Sequence, residues 1–176
     1  VVLLFFSVLQ AYQEAMTVKK HLIKKGEVIS HFLAGSLKTA VFAENKEALE
    51  NIIRGVISEE EVISVSIYST EGKLIYGTEK KTNQTGKADF SLDVAAELFT
   101  SSATKIIERF NVIECLAPIS IDVFPNAVES LYFEKSDNYP QEKTIGYVRV
   151  DLDKTLMTRE TKAVFLRVLA LALFFI

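Results

Sequence analysis

The chain is short of the residues from which most sites are built. Its 176 positions hold one cysteine, two histidines, three prolines, seven glycines and no tryptophan. One thiol excludes an internal disulfide framework and any zinc site made of several thiolates. His21 and His31 lie on one predicted helix. There their imidazoles project about 80° and ~15 Å apart, too far to ligate one metal. The glycines are scattered singly, without the G-x-G-x-x-G or Walker spacing that cradles a phosphate. Cys115 sits on the apolar side of a predicted strand, with no His or Asn placed to activate it. No catalytic residue, metal or cofactor is therefore assigned, and the segment is not read as an enzyme. Nor is there a surplus of one charge. Lys+Arg 20 face Asp+Glu 23, for a net −3, which argues against a nucleic-acid partner.

What is present is hydrophobicity in the wrong amount for a soluble domain: a mean hydropathy of +0.21 alongside 24% charged residues. The excess sits at the two ends. Residues 1–9 are apolar except Ser7, and residues 163–176 are apolar except Arg167. Each run is shorter than the roughly 20 residues that cross a bilayer. Both are apolar all round, where a surface helix would show only a stripe. The expectation is a segment bounded by two membrane helices: 1–9 ends the first, 163–176 begins the second, and 10–162 forms one domain between them. Greasy terminal helices of a soluble domain are the alternative.

Between the ends, Tyr12, Met16, Leu22, Ile29, Leu33, Leu37 and Val41 recur at spacings of mostly four or seven. That period predicts one long amphipathic helix to Phe42. The lysines at 19, 20, 24 and 25 are assigned to its solvated face. Asn45 is placed to cap a second helix, where Leu49, Ile52, Ile53, Val56 and Ile57 form one stripe. Glu59, Glu60 and Glu61 are assigned to a solvated helix end. The period then falls to two. Residues 62–69 and 74–77 make a hairpin about Gly72, and 78–89 a polar loop. A short helix is expected at 92–100, strands within 104–120, a mixed loop-like insertion at 121–143 and a last strand at 144–153, before the chain turns helical from Lys154. Helices at the ends with strands clustered between them predict an α+β fold on a mostly antiparallel sheet.

One stretch carries a resemblance. Ala40-Val41-Phe42, the break Glu44-Asn45-Lys46, and Val62 through Leu74 resemble the recurring phrases of extracytoplasmic PAS-like sensor domains. These are the Cache or PDC group, related to CHASE, of bacterial histidine kinases, diguanylate cyclases and chemoreceptors. Ala117-Pro118-Ile119 and Ile145 through Val150 resemble the group's later strands. The resemblance covers most of 30–153. It implies a PAS-like antiparallel sheet flanked by a long N-terminal helix and a C-terminal helix, lying outside the cytoplasmic membrane between two spans. It also implies signal transduction in a two-component system, a histidine kinase foremost, with ligands bound on the sheet face away from the long helix. There is no C-x-x-C-H, so no haem is implied.

Strand alternation assigns the two faces independently. Ile63, Val65 and Ile67 join Ile113, Cys115, Ala117, Val148, Val150 and Leu152 on the apolar face, with Gly146 expected to admit the helix closely. Ser66, Tyr68, Glu114, Tyr147 and Arg149 gather on the other, as the candidate ligand-binding set. Arg149 either grips a small-molecule carboxylate with its planar fork, or pairs with Glu114, or lies exposed. Output would be a shift between the two terminal helices of a homodimer, with a parallel seam from Leu9 to Met16. A pocketless tether that reads a protein partner, or a pilin-like subunit, is the competing class.

Overall fold

A computed structural model describes residues 2–80, 103–123 and 141–155. Helix α1 (Val2–Phe42) is unbroken over 41 residues, about 60 Å at 1.5 Å per residue. The predicted helix is thus continuous with the apolar N-terminal run. Leu22, Ser30, Leu33, Ala34, Leu37, Ala40 and Val41 are buried along one face of it. Tyr12 and Met16, expected on the same stripe, are exposed.

The acidic break at 44–46 is two caps back to back. Glu44 takes a left-handed φ of 50°, and the Asn45 N–H donates to the Ala40 carbonyl at 3.0 Å. This closure satisfies a helix-end carbonyl. The Asn45 side chain then accepts from the Ala48 N–H at 3.1 Å, starting helix α2 (Lys46–Ile57) as expected. Leu49 and Ile53 are the buried residues of α2.

Five strands follow: β1 (Val62–Ser69), β2 (Leu74–Glu79), β3 (Lys105–Glu108), β4 (Val112–Val123) and β5 (Gln141–Asp153). They form one sheet in the order β2-β1-β5-β4-β3, and every pairing is antiparallel. The fold is α+β. The β1–β2 hairpin turns at Gly72, whose φ of 80° suits glycine. The last strand, β5, lies in the middle of the sheet and joins β1 to β4. Strand ends moved relative to expectation: β2 continues to Glu79, β4 runs through Pro118 to Val123, and β5 starts at Gln141. The ladder therefore takes both ends of the expected 121–143 loop, with Val123 opposite Gln141. Hydrophobic alternation misses these ends because residues 141–143 are exposed. The expected helix at 92–100, the rest of that insertion and the 163–176 run lie outside the described residues. Among the described residues, no helix is long and apolar enough to cross a membrane.

Both helices pack on one face of the sheet, against Val65, Ile67, Ile113, Cys115, Ala117, Ile119, Val148, Val150 and Leu152. Two local expectations are corrected. The β1 register shifts between Val62 and Ser64, so Val62 rather than Ile63 completes this core. A bulge carries one extra residue and turns the alternation over at that point. The close helix approach depends on Gly26, not Gly146. A Cβ at Gly26 would stand 2.5 Å from Leu152 Cδ1 and 2.6 Å from Cys115 Sγ. At Gly146 the close neighbour is the Tyr68 backbone oxygen, at 2.7 Å on the next strand, while the helix is met only at Val41, 3.6 Å away.

Candidate functional site

The sheet face away from the helices is built in three cross-strand rows. Ser64, Asp151 and Glu114 share the first, Ser66, Arg149 and Leu116 the second, Tyr68, Tyr147 and Pro118 the third. All five residues predicted from strand alternation therefore fall on one contiguous patch of β1, β5 and β4. The patch is not a solvated sheet face. Glu114 and Asp151 are 4% exposed, Arg149 8%, and Ser66 and Tyr68 1%.

Ionised groups stay charged in such a place only if paired and hydrogen-bonded. Arg149 Nε donates to Asp151 Oδ1 at 2.7 Å, and Nη2 to Asp151 Oδ2 at 3.0 Å. Ser64 Oγ donates to the same Oδ2 at 2.6 Å. Arg149 Nη2 also reaches Glu114 Oε1 at 3.5 Å, an oxygen that accepts from Arg109 Nε as well. Burial opposes the Arg149 cation, yet the Asp151 hydrogen bonds and the two carboxylate charges hold its pKa above the ordinary value. Burial pushes the Tyr68 and Tyr147 phenols up, the Arg149 charge acting the other way on Tyr68.

The fork of Arg149 thus faces Asp151 rather than standing open for a carboxylate. Asp151, Ser64 and Arg109 are members of the network outside the predicted set. Alternation does put Asp151 on the Arg149 side of β5, and two residues along one strand face is close enough for a long guanidinium to reach. Arg109 carries no such signal, because only the β3–β4 register brings it to Glu114. Among the described residues, Glu114 Oε2 is buried without a hydrogen-bond donor, while the Ser66 side chain interacts with the Tyr68 phenol.

A second feature lies on the helical side. A groove of about 870 Å³ runs between α1 and α2, lined by His21, Lys25, Val28, Phe32, Ile52 and Val56 among others. Val28 is 56% and Phe32 63% exposed. None of the five sheet residues borders it. His21 and His31 are both exposed on α1, and no group of three metal-ligating side chains occurs among the described residues.

The lysines expected on a solvated face include two that tie elements together. Lys25 Nζ sits 3.0 Å from Glu59 Oε2 and 2.7 Å from Glu61 Oε2. Glu61 raises the pKa of Lys25, helped by Glu59, and Lys25 in turn lowers that of Glu61. Glu59 and Glu61 are thus partners of α1 rather than a solvated terminus. Lys19 Nζ reaches Glu108 Oε2 at 2.6 Å, and Lys154 Nζ reaches Oε1 of the same residue at 2.6 Å. The cause is tertiary: the corner between α2 and β1, and the end of β3, both come to rest against α1.

A family model described as single Cache domain 4 matches residues 11–162. No curated protein matches the chain. The match spans most of the sequence, so the chain belongs to the single Cache domain 4 family. Cache domains are typically extracytoplasmic sensing domains of signalling receptors, commonly bind small molecules, and are not themselves catalytic.

Proposed function

We propose that this Cache domain is the input domain of a membrane-bound sensor histidine kinase. Residues 1–9 end one membrane helix and 163–176 begin another. Residues 10–162 lie on the outer side of the cytoplasmic membrane, in a homodimer. A small molecule bound at Ser66, Tyr68, Glu114, Tyr147 and Arg149 shifts the relation of the two terminal helices. It does so only by as much as it prefers one arrangement over the other.

One observation carries this reading. A connected run of charged groups leads from the buried face to both terminal segments. Arg149 meets Glu114, Glu114 meets Arg109, and the adjoining Glu108 holds Lys19 of α1 and Lys154 at the start of the C-terminal segment. Contiguity becomes coupling only where both ends bias one equilibrium. Single cysteines at 9–20, placed in a Cys115→Ala background of the full receptor in membranes, read that equilibrium. Crosslinking should peak every three or four residues, with Leu9, Tyr12 and Met16 in the seam. The pattern should change with Glu108→Ala. Uniform or absent crosslinking overturns the proposal.

A second reading, a domain that senses a protein partner, has the α1–α2 groove in its favour. Exposed Val28 and Phe32 offer that partner an apolar anchor site. If Phe32→Asp abolishes signalling while small-molecule binding persists, the partner reading prevails.

A further inference from the structure

We infer that the ligand of the buried sheet face is a small organic ammonium ion rather than a carboxylate. The inference rests on the sensing role proposed above and names the chemistry it serves.

Charge comes first. Among the described residues, the face buries two carboxylates, Asp151 and Glu114, against one buried guanidinium, Arg149. The second guanidinium, Arg109, has a side chain 52% exposed, so water screens much of its charge. The buried set therefore carries an excess of negative charge, and an added carboxylate would raise it further. A like charge brought into a desolvated site is strongly unfavourable, whereas a cation there is attracted at low local dielectric.

Hydrogen bonding points the same way. Asp151 has a donor on each oxygen: Ser64 Oγ and Arg149 Nη2 donate to Oδ2, and Arg149 Nε to Oδ1. Glu114 is half satisfied. Its Oε1 takes both arginines, while its Oε2 is buried with no donor at all. An unsatisfied buried acceptor costs about 1–3 kcal/mol, more when charged. Ser66 Oγ, buried beside the Tyr68 phenol, lies one row away on the same face. What Glu114 Oε2 lacks is a donor, and a positively charged one is what an alkylammonium N–H supplies. Tyr68 and Tyr147, paired across the next row, add aromatic faces that favour a cation. A quaternary ammonium has no N–H and leaves Glu114 Oε2 as it was.

The test is a thermal melt of the whole chain in detergent micelles, followed by circular dichroism at constant ionic strength. The probes are ethylammonium, 1,4-diaminobutane, tetramethylammonium, acetate and succinate. The primary ammonium ions should raise Tm by about 5–10 °C at a hundredfold excess over Kd, and the other three should not. Glu114→Gln should fold, because its amide oxygen can still accept from both arginines, and should weaken the ammonium response at least tenfold. Should Glu114→Gln fail to fold, Ser66→Ala takes its place, with a weakened ammonium response expected. An ammonium response that survives in the variant overturns the assignment. A response to acetate or succinate alone overturns the ligand class while leaving the small-molecule sensor intact. Silence from every probe, with the crosslinking periodicity preserved, removes the small-molecule ligand and leaves the membrane-linked dimer standing.

Discussion

The two faces of the sheet are both buried, and by opposite physics. Toward the helices, Val65, Ile67, Cys115, Ala117, Val148 and Val150 exclude water and ask nothing directional of their neighbours. Such a surface tolerates volume-conserving exchange and changes in graded steps. Away from the helices, Arg149, Asp151, Glu114, Ser64 and Ser66 are as deeply buried, but each must find a partner of the right charge at the right distance. The first face sets how the long helix lies; the second, as the proposed ligand site, would set which chemistry can enter. The polar face leaves Glu114 Oε2 without a donor, an unmet demand that the apolar face does not have.

The largest expected effect lies on the polar face. Arg149→Leu strips the cation from two buried carboxylates and should cost about 3–5 kcal/mol, since removing one member of a buried ionic set strands the others. Urea unfolding measures it. Replacing Arg149, Asp151 and Glu114 together by apolar residues of similar volume should cost far less than Arg149→Leu alone. A triple variant as unstable as the single would erase the distinction between the faces, because it would mean that shape and not charge holds this side.

On the apolar face the matching test is Gly26→Ala. The new methyl would meet Leu152 Cδ1 and Cys115 Sγ at 2.5 and 2.6 Å, and overpacking of this kind costs about 1–3 kcal/mol. Cys115→Ala removes one of the two obstacles, so the double variant should recover part of the loss. A coupling of at least ~0.5 kcal/mol in the cycle is expected for groups in contact. Additive losses would place the strain elsewhere. The same packing buries the Cys115 thiol and pushes its pKa to about 12.

What could be read beforehand divides along the same line. Alternation put Ser66, Tyr68, Glu114, Tyr147 and Arg149 on one face because period two is a local property of each strand. Pairing is not local. That Ser64 comes to Asp151, that Arg109 reaches Glu114, and that Val62 displaces Ile63 from the core all follow from register and from a bulge. Neither of these is written in any single strand. Likewise Asn45 announced itself as a cap within four residues, whereas Gly26 showed its purpose only once the sheet lay against α1. The lysines of α1 were legible as charges, not as partners, for the same reason.

The smallest effect belongs to the rim between the faces, where Lys25 bridges Glu59 and Glu61. Its Nζ lies 2.7 Å from Glu61 Oε2, but the Lys25 side chain is 37% exposed, so solvent screens the attraction and the group is worth no more than about 1 kcal/mol. The folded pKa of Glu61 lies below its ordinary 4.5. The stability it confers is therefore complete above that value and is lost as pH falls through the lowered folded pKa. The folded pKa of Lys25 lies above 10.5, so its share persists below that value and disappears as pH rises past the raised one. Lys25→Met should flatten the stability profile at both limbs and leave the neutral plateau within about 1 kcal/mol of the parent. Salt separates this rim from the polar face: 1 M salt shortens the screening length to about 3 Å, which should erase the Lys25 contribution while the cost of Arg149→Leu stays put. If salt instead reduced both in proportion, the Arg149 network would have to be as open to water as the rim.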